Sequence, residues 1–437
     1  MKVLKFGGTS VGSAQRIKDV AKLICNGSQN MVVLSAMSGT TNALVEISDY
    51  LYKKNQDGAN EIIIRLTKKY ADVIEALYQT KEYRDKALQG VMSCFDTIHA
   101  QVKDLFTLFE ERIILAQGEL MSTAMMHLYL QESGVNSAIL PALDFMRTDK
   151  DAEPDPIYIK EKLLALMEQN KDADLYITQG YICRNAYSEI DNLQRGGSDY
   201  TASLIGAAIL SEEIQIWTDI DGMHNNDPRI VSNTSPVRQL NFEEAAELAY
   251  FGAKILHPTC ILPAKLNNIP VRLLNTLQPD APGTTISNSM EKAKIKAVAA
   301  KSDIIAIKIK SGRMLLATGF LRKVFEIFET YRTPIDMVTT SEVGVSVTID
   351  NPNRLEDILN DLKKYGMVTV DKEMVIICVV GDMEWENVGF EARIVSALKD
   401  IPVRMISYGG SNYNVSLLVK ASDKNRALQA LSEHLFA

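Results

Sequence analysis

Two short strand-like runs near the N-terminus constrain this chain more than any other feature, because each breaks into a glycine- and hydroxyl-rich turn ahead of an amphipathic stretch. Val3 to Phe6 ends at Gly7-Gly8, and Ile17, Val20, Ala21 and Ile24 then recur at helical spacing. Thr9 and Ser10 are expected to cap that helix. Met31 to Ser35 is continuously apolar, as suits a parallel strand buried on both faces. Ser38-Gly39-Thr40-Thr41-Asn42 then opens another helix. Strand, loop and helix in repeated order predict an α/β sandwich. Residues 60–134 read as mostly helical, and Leu175 to Thr178 and Glu213 to Thr218 as further buried strands. Functional groups in open sheets gather where strands meet their following loops. The polar loops near residues 7–10, 35–42, 179–185 and 218–229 are therefore expected to converge on one cleft.

After about residue 295 the pattern changes to two passes of short strands and helices, each a βαββαβ unit of ferredoxin type. The first pass has strands at Met314–Ala317, Ile335–Thr339, Val343–Ile349 and Val368–Val370, with helices at Phe320–Tyr331 and Arg354–Lys364. The second has strands at Met374–Val380, Val403–Ser407 and Tyr413–Val419, with helices at Phe390–Leu398 and Lys424–His434. The second pass is one strand short, and Ile304–Ile309 is left over. Pairing that strand into the second sheet would nest the first unit inside the second. The expected boundaries are residues 1–295 and 296–437, with the two units at about 311–371 and at about 372–437 plus strand 304–309.

The formal charge of −8 argues against nucleic acid as a partner, since phosphate backbones demand clustered cations. The cysteines, Cys25, Cys94, Cys183, Cys260 and Cys378, are scattered with no CxxC pair, so no protein metal site and no disulfide scaffold is expected. Reduced thiols suit the cytoplasm. No signal-peptide core and no run of about 18 apolar residues is present, so neither secretion nor a membrane span is expected.

Four segments carry chemistry. Lys5-Phe6-Gly7-Gly8-Thr9-Ser10 places a cation at a strand end beside glycines that admit phosphate to the backbone and to a helix N-terminus. Arg195-Gly196-Gly197-Ser198-Asp199 precedes an apolar helix; Arg195 suits a carboxylate, and Asp199 suits either a helix cap or a salt bridge to Lys5. Trp217-Thr218-Asp219 opens a loop that ends in Asp227-Pro228-Arg229. Phe251-Gly252-Ala253-Lys254-Ile255-Leu256-His257-Pro258 sets a lysine in an apolar segment, where an anion or solvent must meet it. No histidine has an evident acid–base partner in the sequence, so hydrolysis by a Ser/His/Asp triad is unsupported.

Together and in this order, the four segments resemble the aspartate kinases of the amino-acid kinase family over nearly the whole chain. The resemblance implies a three-layer αβα catalytic domain followed by paired ACT domains that bind a regulatory amino acid. It implies an ATP site at Lys5, Gly7, Gly8, Thr218, Asp219, Arg229 and Lys254. It implies an aspartate site at Ser35, Thr41, Glu119 and Arg195 with Ser198 close by, and makes Asp199 the residue that positions the catalytic Lys5. His224 stands where relatives often carry a tyrosine. For the effector it implies Met314, Gly319, Phe320, Leu321, Asp336, Thr340, Ser341 and Glu342, with lysine as first expectation and threonine second. Mg²⁺ would bridge the ATP phosphates, and a homodimer or larger assembly would form through the ACT domains. The substrate carboxylate, with a reference pKa of about 3.9, is already ionised at neutral pH and needs no general base. The alternatives are a kinase of another amino-acid carboxylate and a non-catalytic amino-acid sensor. A fused dehydrogenase is not expected, because nothing follows the regulatory units.

Overall fold

The computed structural model describes residues 1–193, 196–252, 257–311 and 318–436. Arg195, Lys254, Met314 and the strand expected at Met314–Ala317 lie outside the described residues. The chain divides into two compact units: Met1–Met223 with Leu256–Asn288, and His224–Ile255 with Ser289–Ala437.

The strands of the first half are β1 (Val3–Phe6), β2 (Met31–Leu34), β3 (Ser137–Ile139), β4 (Leu175–Gln179), β5 (Ile182–Arg184), β6 (Ile190–Asn192), β7 (Ile214–Thr218), β8 (Gln239–Asn241), β9 (Val271–Asn275) and β10 (Thr284–Ser287). All but β8 belong to the first unit. Its main sheet runs in the order β3-β4-β2-β1-β7-β9-β10. The pairings are parallel as far as β9, and β10 is antiparallel to it. Every residue of β1, β2 and β4 is buried, which explains why apolar residues dominate them, with Lys5, Thr178 and Gln179 at their polar ends. The helices Gly197–Ile209 and Leu108–Glu132 pack on these strands. The second begins in a capping box between Thr107 and Glu110, and buried positions nearly surround its middle, where Glu119 lies.

Thr9 and Ser10 do not cap the first helix. It runs Ala14–Ile24 from Ser13, whose hydroxyl accepts from the Arg16 N–H at 3.3 Å. Ser10 is drawn away instead: its N–H bonds the Gly7 carbonyl at 2.9 Å, and its hydroxyl lies 3.3 Å from that of Thr276.

In the second unit, β11 (Ile295–Lys310), β12 (Val338–Ser341), β13 (Gly344–Ile349), β14 (Met367–Gly381), β15 (Met405–Ser407) and β16 (Asn414–Lys420) form one sheet in the order β12-β13-β11-β14-β16-β15. The nesting holds, but with a different strand segment. Ile305–Lys310 pairs with β13, inside the first ACT unit, and residues 295–301 pair with the far half of β14, completing the second. The expectation for Ile304–Ile309 failed because β11 and β14 are each continuous across both units. Register shifts at Lys301/Ile304 and a positive φ of 63° at Asp303 mark the bulge that looked in sequence like a strand beginning. Each unit keeps its own apolar core, one built around Phe320, Phe328 and Ile358, the other around Ile377, Phe390 and Leu428. Val231, just past the Asp-Pro-Arg turn, is buried in the second of these cores.

Candidate active site

Lys5 is the penultimate residue of β1, and its backbone is fixed between the parallel strands β2 and β7. Its ammonium stands 2.7 Å from Asp199 Oδ1, in the first turn of the helix Gly197–Ile209, and both side chains are largely buried. The contact is an ion pair rather than a directed hydrogen bond, and Asp199 Oδ1 has no hydrogen-bond partner among the described residues. Of the two sequence roles for Asp199, the salt bridge is the one observed; Gly196, with φ of 69°, takes the cap position.

The glycines bring the loops together. A Cβ on Gly8 would lie 2.6 Å from the Ala36 carbonyl oxygen, so only glycine allows the turns after β1 and β2 to meet. The Ser38 N–H there donates to the Gly8 carbonyl at 3.0 Å. A Cβ on Gly180 would fall 2.4 Å from the Ser198 Cβ, pressing the end of β4 onto the helix that carries Asp199. Gly7 donates to the Trp217 carbonyl at 3.4 Å. Thr276 closes the far side, donating to the Thr218 carbonyl at 2.7 Å. Four of the loops expected to converge thus meet in the first unit, the last of them as far as residue 223.

On the β2 side, Ser35 Oγ donates to Ser198 Oγ at 2.9 Å, and Ser122 Oγ donates to the Ser35 carbonyl at 2.8 Å. The Ala36 N–H donates to Glu119 Oε1 at 3.2 Å. Glu119 is buried, and its Oε2 has no partner among the described residues. Burial, only partly opposed by the Ala36 hydrogen bond, pushes its carboxyl up to about 8. A buried carboxylate oxygen without a donor suits a cationic or N–H-bearing group. Thr41 is exposed on the first turn of the helix Thr40–Tyr52. It is the buried Thr40, not Thr41, that bonds Tyr70, at 3.0 Å.

Thr218 is half-buried and its hydroxyl accepts from the Ile220 N–H at 3.2 Å, while Asp219 is exposed. Arg229 belongs to the second unit, where Asp227 grips its guanidinium through Nε at 2.9 Å and Nη2 at 2.7 Å. Also in that unit, the Asn226 side chain donates to the Leu428 carbonyl at 3.0 Å, and His224 Nδ1 lies 2.9 Å from Thr234 Oγ1.

Among the expected effector residues, Gly319 caps the helix Phe320–Thr330 with φ of 86°, Phe320 is buried and Leu321 is 37% exposed. Thr340 and Ser341 are exposed on the edge strand β12, with Glu342 exposed just after it. The Asp336 side chain is buried and ion-paired.

Thr276 and Tyr181 lie beside the expected site residues, and sequence reasoning named neither. Thr276 directly follows β9, so the rule that sites gather at strand ends applies to it too. Tyr181 sits at φ of 66° with its N–H on Thr201 Oγ1 at 2.9 Å, and no local sequence signal marks it.

The amino acid kinase family model matches residues 1–275 and an ACT domain model matches residues 377–435. The chain is 35% identical to the chloroplastic aspartokinase 3 of Arabidopsis thaliana, over 99% of this chain and 81% of that one. It is 31% identical to the lysine-sensitive aspartokinase 3 of Escherichia coli over 99% of both. This chain belongs to the aspartokinases of the amino acid kinase family. Membership makes it an aspartate kinase with an ACT-type regulatory region behind the catalytic fold. Among solved structures, E. coli aspartokinase III in complex with aspartate and ADP matches over 100% of both chains, with a TM-score of 0.86 and 30% identity. The same enzyme in complex with lysine and aspartate matches with a TM-score of 0.79 and 31% identity. Among the described residues of this aspartokinase, no helix is long and apolar enough to cross a membrane.

Proposed function

We propose that this aspartokinase binds L-aspartate against Glu119, Ser35, Thr41, Ser198 and Arg195, and moves onto its side-chain carboxylate the γ-phosphoryl group of an ATP held by Lys5, Gly7, Gly8, Thr218, Asp219, Arg229 and Lys254. The observation that carries this reading is the unpartnered Oε2 of buried Glu119, next to the Ser35–Ser198 hydrogen bond. An α-ammonium group supplies the missing donors and the missing charge. Arg195 takes the α-carboxylate, which leaves the side-chain carboxylate facing the phosphoryl group.

Lys5 neutralises charge on the transferring phosphoryl oxygens, and Asp199 holds the ammonium in place until the nucleotide arrives. The acceptor is already ionised, so the chemistry is positioning and charge neutralisation, without a general base. Among the described residues no cluster of three or more His, Cys, Asp or Glu side chains is placed to hold a metal ion. Mg²⁺ would ride on the nucleotide phosphates and offset their charge.

Residues 1–295 act as the catalytic module and residues 296–437 as the regulatory one. L-Lysine is the effector, with threonine second, a choice that rests on the lysine-sensitive relative. Its contacts are Met314, Gly319, Phe320, Leu321, Asp336, Thr340, Ser341 and Glu342. A homodimer or larger assembly forms through the ACT domains, for which the edge strand β12 offers unpaired backbone. The cytoplasm is the site of action, in keeping with cysteines that form no disulfide.

The test is ADP release with L-aspartate, L-glutamate, N-acetyl-L-glutamate or carbamate as acceptor, each with and without L-lysine and L-threonine. Turnover specific for aspartate and suppressed by lysine supports the whole reading. Turnover with another acceptor overturns the substrate, and turnover that threonine alone suppresses overturns the effector.

A further inference from the structure

Asp336 lies within the second unit, in an arrangement that the effector reading leaves unexplained. Its Oδ1 receives the Lys301 ammonium at 2.6 Å and the Tyr250 hydroxyl at 2.8 Å. Lys301 also reaches Asp350 Oδ2 at 2.9 Å, and its ammonium stands 4.5 Å from the centre of the Tyr250 ring. The Asp336 side chain is 1% exposed, yet its Oδ2 has no partner among the described residues. Two carboxylates thus surround one ammonium, and the deeper carboxylate keeps an open oxygen. A buried carboxylate saturated on one oxygen only is an incomplete cation site.

We propose that Asp336 is a primary-ammonium site that this chain fills with its own Lys301 when no effector is bound, and that an effector amine enters by driving Lys301 from Asp336 onto Asp350. This rests on the reading of Asp336 as an effector contact and adds the group with which the effector competes. The exchange keeps charge in balance: the incoming ammonium neutralises Asp336 while Lys301 neutralises Asp350. Asp350 is 41% exposed, so it receives Lys301 at little desolvation cost.

The exchange also has a mechanical consequence. Tyr250 is the last residue of the helix Phe242–Tyr250; the ammonium over its ring changes when Lys301 moves, and its hydroxyl donates to the carboxylate at which the exchange occurs. Two residues on, Gly252 has φ of 115°, and a Cβ there would lie 2.5 Å from the carbonyl oxygen of Ala300, the neighbour of Lys301. Tyr250 and Gly252 are therefore held against the stretch of β11 that the effector disturbs. Contiguous packed contacts of this kind can carry coupling between sites.

Full-length variants test this by calorimetric titration with L-lysine alongside inhibition of turnover. Lys301→Met removes the competitor and should tighten L-lysine binding by about fivefold or more. Lys301→Arg grips both carboxylates with a planar fork and should weaken binding by a similar factor, about fivefold. Opposite shifts from these two substitutions are the signature of competition, which a purely structural lysine does not produce. Tyr250→Phe should bind L-lysine within about twofold of the parent while losing much of the maximal inhibition. Should Lys301→Met fail to fold, the weakening by Lys301→Arg still decides. An unchanged affinity in Lys301→Arg, or the same direction of change in both Lys301 variants, overturns the proposal. Asp336→Asn separates this from the underlying reading: if it binds L-lysine normally, Asp336 is no effector contact and both fall. If it loses binding while both Lys301 variants bind as the parent does, only the competition falls.

Discussion

Lys5 and Asp199, remote in sequence, meet as an ion pair 2.7 Å apart because a central strand ends where a glycine-led helix begins. The pair is enclosed enough that Asp199 governs where the ammonium rests. Asp199→Asn keeps the shape and removes the charge. It should lower kcat by roughly a hundredfold, the scale expected when a reacting contact is misplaced by about 1 Å. Steady-state kinetics at saturating ATP and aspartate check this, with circular dichroism to confirm folding.

Glu119 predicts a pH effect on substrate binding. Burial holds its carboxyl at about 8, so in the empty site at neutral pH it is largely protonated. In the proposed pose the α-ammonium favours the ionised form, so aspartate binding should expel a proton. Calorimetry at pH 7 in buffers of different ionisation enthalpy should show net proton release, fading above about pH 8, with KM for aspartate falling over the same range. The stability sign is opposite. A carboxyl raised in the folded state favours folding at low pH, and that contribution is lost as pH rises through about 8. Glu119→Gln should therefore abolish proton release while raising the melting temperature relative to the parent above pH 8.

Gly180 tests the packing beneath the proposed substrate site. Its absent Cβ would collide with the Ser198 side chain at 2.4 Å, and Ser198 accepts from Ser35. Gly180→Ala should raise KM for aspartate by about tenfold or more, since substrate-positioning geometry tolerates little displacement. KM for ATP should move much less.

A buried ion pair offers a stability test within the second unit. Lys296 and Glu244 are 1% and 0% exposed with 3.3 Å between them, and Lys296 also donates to the Gln239 carbonyl at 2.9 Å. Lys296→Met strands Glu244 and should cost roughly 3–5 kcal/mol. The double substitution Lys296→Met with Glu244→Leu should recover much of that loss, as replacing a whole buried pair by apolar groups often does. Urea denaturation of the parent, the single and the double variants gives the comparison.

Much of this was legible in sequence where the signal is local or periodic. The mostly apolar runs of β1, β2 and β4 announced buried strands, and their glycine and hydroxyl turns marked the candidate site. Glu119 and Ser35 entered only through family resemblance, because an orphaned carboxylate oxygen is a fact of packing. The fused strands β11 and β14 misled strand counting: bulges at Ser302-Asp303 and Lys372-Glu373, with φ of 63° at Asp303 and 55° at Glu373, break the alternation as a turn would. Lys301 gave no sign, since its meaning depends on Asp336 and Tyr250, which only the fold brings to it.

The central claim is that Lys5 acts on the transferring phosphoryl group in a site that needs no general base. The most direct measurement is the rate of aspartyl phosphate formation, trapped with hydroxylamine, for the parent and for folded Lys5→Met at saturating substrates. The account predicts a fall of roughly a hundredfold or more, the usual cost of losing one charge-stabilising contact in the transition state. Near-parental turnover in Lys5→Met would contradict it.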